Sequence, residues 1–406
     1  MIPRVRRAPF NSHNLTRVTM FFFVSLSFDC ADKSKLRYTI PFERGYMIDP
    51  DTQANVWKYL FGASKLNVAP RNLGLLVTEP VLCPRSLKEQ MNELVFEKFE
   101  FASAAVATAP QLASFDIAQM STTPSSGAST GCMLVVDSGF SFTHAVPMFQ
   151  FRPIRNAVRR VSVGGKLLTN YLKELVSYRS YNMMEETYLI NQVKEQLCFC
   201  SLDVRKDLRR KTEANRKLRR EFVLPDYKES MEGYVRPLST GDEAVVAARA
   251  DGGAKEQVLQ LQNERVGVPE ALFHPIDVGL DEGGVASAVV QAIERCPARM
   301  RPCLYSNICL IGGNVRIRGF QERLFRELRA LAPIEMDVVI ETAKDPTISA
   351  WRGGSRWARD PSSSFHRAIP SYSSLAVTRS EYHESGHGAF LRKWPLVSAG
   401  ASLEEE

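Results

Sequence analysis

Two short stretches of this chain have the residue order of a phosphate cradle. Met133-Leu134-Val135-Val136 runs into Asp137-Ser138-Gly139, and Ile308-Cys309-Leu310-Ile311 runs into Gly312-Gly313-Asn314. Each reads as a buried strand ending in a tight turn. A continuous apolar run suits a strand covered on both faces, and glycine just beyond it lets backbone N–H groups approach an anion closely. A third stretch is chemically different: Arg205, Lys206, Arg209, Arg210, Lys211, Arg216, Lys217, Arg219 and Arg220 face only Asp207 and Glu213. Such a cluster can neutralise DNA phosphates or meet an acidic partner, independently of sequence and sensitively to salt. It has no interleaved aromatics for stacking single-stranded bases, and a solvated helix or loop face is the plainer reading.

The elements that must hold these groups alternate. Helical apolar spacing follows the strand-like runs in both halves of the chain, at residues 87–99 and 320–332, which predicts an α/β protein. With 406 residues, 44% hydrophobic and 24% charged, the chain is long enough for two cores and has the composition of a folded globular protein. A net charge of +7, from 52 basic against 45 acidic residues, excludes a polycation and leaves nucleic-acid affinity to a local patch. Eight cysteines, at 30, 83, 132, 198, 200, 296, 303 and 309, lack paired zinc-ligand spacing and are too dilute for a disulfide scaffold. A reducing compartment, cytosol or nucleus, is expected.

Residues 121–130, 239–255 and 356–374 are rich in Ser, Gly or Pro and read as exposed connections. Residues 18–28 form an apolar run preceded by Arg4, Arg6, Arg7 and Arg17, of about signal-peptide length and too short to span a bilayer. Ser25 and Ser27 interrupt the run, Asp29, Asp32 and Lys33 follow it, and no small-x-small cleavage site is present. A buried strand is expected there rather than an export signal.

DSGFSFTH at 137–144 resembles the second phosphate-binding loop of actins and their relatives. Five further motifs appear in actin order: GGKLLTNYL at 164–172, INQVKEQLCF at 190–199, NERVGVPEALFHP at 263–275, LIGGNVRIRGF at 310–320 and AWRGGS at 350–355. Six ordered motifs over most of the chain identify it as a member of the actin superfamily. Within it, the aromatics Phe140 and Phe142, the 163–172 segment and VLPDY at 223–227 resemble the nuclear actin-related protein 6 class. The resemblance implies the bilobed α/β fold shared by actin, hexokinase and the heat-shock-chaperone ATPases. Residues 41–128 and 340–406 would form the first subdomain, with an insert at 356–374. Residues 129–163 and 281–339 would form the third subdomain, and 164–280 the fourth. Residues 1–40 match the family poorly, and the family's first strand and first phosphate loop have no counterpart there; a misread or alternative start is the expected cause.

Carried over residue by residue, the resemblance implies a vestigial nucleotide site. Asp137 would engage a metal-bound water, Ser138 and Gly139 would donate backbone N–H bonds to phosphate, Lys194 and Glu195 would flank adenosine, and Gly312-Gly313 would lie beside the base. The alternatives for the last two pairs are a solvated helix face and a sharp strand exit. Phe140 offers a phosphate nothing to bond, and Thr347 replaces a lysine. Ala109 stands where conventional actins place the glutamine that positions attacking water, and Gln111, two residues on, would point about 200° away on a helix. His144 remains from that neighbourhood without its partner.

The resemblance further implies a noncatalytic subunit of an SWR-type chromatin remodelling complex, one that exchanges a core histone for its Z-type variant and so regulates transcription. Its partners would be the remodeller's motor subunit, a small zinc-containing subunit and, through the complex, nucleosomal histones and DNA. No membrane partner is expected. Its place would be the nucleus and also the cytoplasm, and its cofactor either ATP held without hydrolysis or none. The alternatives are an actin-fold ATPase and a cytoplasmic actin-related adaptor for microtubule motors.

Overall fold

Met133–Ser138 and Ile308–Ile311, the strands that carry the two glycine turns, lie side by side and parallel at the centre of a six-stranded sheet, with Leu134 opposite Ile308 and Asp137 opposite Ile311. A computed structural model describes residues 39–63, 65–120, 131–209, 218–227, 230–236, 256–359 and 370–393. Residues 1–38 and the expected connections at 121–130 and 239–255 lie outside the described residues. Ile340–Thr342 continues the sheet on one side; Thr143–Phe149, antiparallel to Met133–Ser138, continues it on the other and pairs with Arg152–Pro153 and Arg159–Val161.

Alternate residues of the central strands enter two different cores, which is why the runs are apolar throughout. Leu134, Val136, Ile308 and Leu310 pack against the helices Gly165–Arg179, Thr187–Leu197, Val285–Glu294 and Phe320–Leu331. Met133, Val135, Cys309 and Ile311 pack on the opposite face, against Ala109–Met120 and Ser349–Arg359.

These last two helices join the lobes, because the same core takes in Leu76, Ala105 and Ala107 of a smaller sheet. That sheet runs Val377–Thr378, Ser103–Thr108, Gly74–Glu79, and its other face covers a third core with Trp57, Phe61, Phe96 and Phe390. The joining helices cross so closely that a Cβ on Gly353 would lie 1.7 Å from the Leu112 carbonyl oxygen. A third sheet, Tyr234–Val235, Arg220–Val223 and Val258–Leu261, is antiparallel. The chain thus has the mixed α/β, two-lobed architecture expected from the alternation of its strands and helices.

Local sequence accounts for several element ends. Pro50 at the first helical position and Asp49 before it start Pro50–Phe61, the Asp49 carboxylate accepting from Thr52 N–H at 2.9 Å. Thr378 and Glu381 form a reciprocal capping box on Arg379–Ser385. The helix read at 87–99 begins at Arg85 and widens at Leu94–Lys98 into i→i+5 bonding. The exposed connection read at 356–374 is too long at both ends. Trp357 belongs to the helix Ser349–Arg359, is 2% exposed and donates through its indole N–H to Pro370 O, and Tyr372 is buried in a short helix. The large aromatics near its two ends, Trp357 and Tyr372, are packed in the core.

Candidate functional site

The strand pair Met133–Ser138 and Thr143–Phe149 closes at Ser138 opposite Thr143, leaving residues 139–142 as the turn. Several polar groups at the start of this turn have partners within the protein. Gly139 N–H donates to Phe142 O at 3.0 Å. The Ser138 and Thr143 hydroxyls share a hydrogen bond at 2.9 Å, and Thr143 donates on to Val163 O. The turn's carbonyls face the start of Gly165–Arg179: Gly165 N–H donates to Gly139 O at 3.0 Å and Lys166 N–H to Phe140 O at 2.8 Å. Asn314, from the second glycine turn, donates to Gly139 O at 2.8 Å and to the Ser138 hydroxyl at 3.2 Å. Gly139 N–H, expected from the sequence to reach a phosphate, is therefore committed within the turn.

Close backbone approach makes two glycines obligatory here. Gly312 has φ +97° and an added Cβ would lie 2.2 Å from Ser138 O; at Gly164 it would lie 2.5 Å from the Ser141 carbonyl carbon. The two glycine turns and the helix start form one interlocked unit.

A cleft of about 300 Å³ opens beside this unit, bordered by Asp137, Gly139, Phe140, Phe142 and His144 on one side and by Ala109, Pro110 and residues 75–81 on the other. Phe140 is 51% exposed at its edge. Phe142 instead bridges the lobes. Its ring lies 6.1 Å from that of Tyr46 and edge-on to His144 at 5.0 Å, with the Arg160 guanidinium 4.2 Å above it. Tyr46 belongs to the hairpin Phe42–Glu43, Tyr46–Met47, whose Met47 is buried in the core of the smaller lobe. An aromatic and cationic clasp thus spans the cleft.

Asp137 and His144 sit opposite each other at the cleft floor. Among the described residues no side chain pairs with the Asp137 carboxylate. Part of its surface opens on the cleft, yet so much protein surrounds it that desolvation pushes its pKa from 3.8 up to about 6. His144 is 5% exposed; burial first, and Arg160 second, push it from 6.5 down to about 4.

The two groups oppose each other in pH-dependent stability. A carboxyl whose pKa is raised on folding favours the native state while protonated, so its cost appears as pH rises from 3.8 through about 6. An imidazole whose pKa is lowered leaves the unfolded chain binding more protons, so stability falls as pH drops from 6.5 towards about 4. Asp137→Asn is expected to raise stability at pH 7 by on the order of 2–3 kcal/mol. The gain should vanish below pH 4, and urea titrations between pH 4 and 7.5 should show the uncovered fall due to His144. An unchanged stability at pH 7 would exclude a buried, uncompensated Asp137.

The other residues expected from the sequence are placed as follows. Lys194 is buried, and its ammonium donates to Gly165 O at 3.1 Å, Thr169 Oγ1 at 2.9 Å and Asn191 Oδ1 at 2.9 Å. It ties Thr187–Leu197 to the start of Gly165–Arg179, and burial holds its pKa below the ordinary lysine value. Neither a solvated helix face nor a free cation describes it. Glu195 is exposed and accepts from Asn191 at 2.7 Å. Gly313 is exposed, with nothing within 4 Å of an added Cβ. Thr347 bonds its own turn through Asp345. Ala109 and Pro110 line the cleft, whereas Gln111 is buried away from it, 4% exposed.

The actin family profile matches residues 12–395 of the chain. The chain belongs to the actin family. Three curated relatives named for the same class are similar over most of their length. The actin-related protein 6 of Arabidopsis thaliana is 40% identical over 368 residues, covering 87% of this chain and 85% of the relative. That of Drosophila melanogaster is 34% identical over 360 residues, covering 88% and 86%. The actin-like protein arp6 of Emericella nidulans is 34% identical over 402 residues, covering 89% and 82%.

In this actin-family cleft, the described residues fit the holding of a nucleotide better than its hydrolysis. Gly313 leaves open space, and among the described residues no side chain pairs with the Asp137 carboxylate. Where the resemblance would place a water-holding glutamine, however, Ala109 has no hydrogen-bonding group, and Phe140 puts an apolar ring on the cleft wall at the 139–142 turn. Asn314, which knits the two turns together, was not singled out by the sequence reading; an Asn directly after a glycine pair was the available signal.

The basic run is only partly described. Arg205 and Lys206 are exposed on the helix Val204–Arg209, whose last residue is Arg209; Arg210, Lys211, Arg216 and Lys217 lie outside the described residues. Arg219 pairs with Glu221 at 2.8 Å, and Arg220 is half-buried with its guanidinium donating to Arg219 O. Sequence spacing did not reveal that Arg265 and Arg318, from two other segments, stack on the Phe199 ring at 5.1 and 4.9 Å.

Proposed function

We propose that this chain is a noncatalytic, actin-like scaffold subunit of a chromatin remodelling complex of the SWR type, which exchanges a core histone for its Z-type variant and regulates transcription. The observation that carries this reading is the cleft: an actin fold knit together by its own hydrogen bonds, with Ala109 and Phe140 where turnover requires polar groups. The near full-length similarity to proteins named actin-related protein 6 supports the class, and the class supports the complex.

In this role the fold is a rigid platform for the remodeller's motor subunit and a small zinc-containing subunit, and meets nucleosomal histones and DNA through the complex. It works in the nucleus and is also found in the cytoplasm. ATP, when held, lies against Gly312-Gly313 and Asp137 and supplies cohesion between the lobes, while turnover belongs to the motor. The exposed cations Arg205 and Lys206 mark the face on which DNA or an acidic partner would be met.

Affinity purification of the tagged chain from nuclear extract tests this. The expected result is co-purification with a remodeller motor ATPase and the Z-type histone. Recovery with microtubule-motor adaptors and without chromatin factors would replace the reading with the cytoplasmic adaptor.

A further inference from the structure

Two thiols converge at the foot of the central strand. Cys132 directly precedes Met133–Ser138 and is 6% exposed, while Cys303 sits on the short helix Arg301–Tyr305 and is only half-buried. They are distant in the chain, yet the Cys303 thiol donates to Cys132 O at 3.4 Å, and both side chains pack in the same core. The sulfur groups also act on each other: burial first, and a hydrogen bond with the Cys303 thiol second, push the Cys132 thiol from 9.0 up to about 12. Asn307 holds the pair in place. Its backbone carbonyl accepts from Leu134 N–H at 2.9 Å, and its side-chain amide donates to Cys303 O at 2.8 Å and to Cys303 Sγ at 3.7 Å. Among the described residues no group of three or more His, Cys, Asp or Glu gathers as metal ligands, so thiol chemistry rather than coordination fits the pair. Cys198 and Cys200, close in sequence, are both buried, whereas the 132–303 pair has a member that an oxidant in solution reaches.

We propose that Cys132 and Cys303 form a reversible disulfide when a hydroperoxide reaches Cys303. In the first step the Cys303 sulfur, as thiolate, attacks one oxygen of hydrogen peroxide: an S–O bond forms, the O–O bond breaks, and the leaving hydroxide takes up the thiol proton as water. In the second, the Cys132 sulfur attacks the Cys303 sulfenic acid: the S–S bond forms, the S–O bond breaks, and hydroxide leaves with the Cys132 proton as a second water. Two thiols lose two electrons, and one peroxide is reduced to two waters. Burial fixes the order, because Cys132 keeps its proton and is shielded from the oxidant until a sulfenic acid stands beside it. A dithiol reductant reverses the reaction by attack at Cys303, the accessible sulfur. In a reducing compartment such a bond is transient and reports oxidant rather than holding the fold together. While present, it ties helix Arg301–Tyr305 to the strand whose far end carries Asp137 and the 139–142 turn, across 171 positions of sequence. The inference goes beyond the scaffold reading and does not depend on it.

Peptide mapping of the purified chain under native conditions tests it. The reduced protein is treated with hydrogen peroxide, its remaining thiols are alkylated, and the digest is read by mass spectrometry without and with dithiothreitol. A peptide joining Cys132 to Cys303 is expected, roughly tenfold above any other linked pair and lost on reduction. Linkage of Cys303 to a different cysteine, oxidation of Cys303 without linkage, or no oxidation of Cys303 overturns the proposal. A second measurement reads the order of steps. In Cys132→Ser, dimedone labelling of the Cys303 sulfenic acid is expected to rise roughly fivefold over the unmodified chain, because the resolving thiol is gone. Equal labelling in the two proteins removes Cys132 from that role.

Discussion

In urea titrations at neutral pH, Gly312→Ala is expected to lose on the order of 3–5 kcal/mol. Two costs coincide at this residue. Its φ of +97° is a backbone conformation an alanine adopts only with strain, and the new Cβ would sit 2.2 Å from Ser138 O. That oxygen is main chain in the central strand of the sheet and cannot swing aside as a side-chain end could. Relief requires separating the two glycine turns, which lengthens the Asn314 bonds to Ser138 and Gly139 and the Gly312 N–H bond to Pro346 O. Gly313→Ala is the internal control. An added methyl there meets nothing within 4 Å, so a change within about 0.5 kcal/mol is expected. Equal losses at the two positions would mean that the turns do not interlock as described.

Arg323→Met is expected to cost a similar amount, about 3–5 kcal/mol. Arg323 and Glu270 are both buried and meet in a bidentate pair at 2.8 and 3.0 Å, and the same guanidinium donates to Ser201 O and to Glu327. Removing the cation leaves the Glu270 carboxylate desolvated, with His274 as its one remaining side-chain partner among the described residues. The loss should therefore be context-dependent: adding Glu270→Leu to Arg323→Met is expected to recover much of it, because the stranded charge disappears. An additive double variant would assign the pair no coupling. Helix Phe320–Leu331, segment 200–202 and helix Glu264–Glu270 all depend on this pair for their relative placement. The first residues of the basic run extend directly from that segment.

Sequence reading was strongest where one physical requirement leaves a long imprint. The apolar runs at 133–136 and 308–311 predicted buried strands, and they are the adjacent central strands of the larger sheet because each must satisfy a core on both faces. The helix at 320–332 was legible within one residue. Site chemistry was less legible, because it depends on partners distant in sequence. Lys194 looked like either a ligand contact or a solvated residue; its three acceptors come from helix Gly165–Arg179 and its own helix, and only packing brings the former to it. The Gly139 N–H is expected from the sequence to reach a phosphate, whereas it closes the turn on Phe142. Phe142 was read with Phe140 as a mark of class, yet it became a bridge between lobes because Tyr46 and Arg160, far away in the chain, converge on its ring. By contrast, local helical geometry was enough to turn Gln111 away from the cleft and leave Ala109 facing it.

We propose that this actin-family cleft does not turn over ATP. Phosphate release from magnesium-ATP by the purified chain, measured beside Asp137→Ala, tests this. No release above the buffer rate is expected from either protein, because Ala109 and Phe140 supply no group to position water or phosphate. Sustained release by the unmodified chain, abolished by Asp137→Ala, would contradict it.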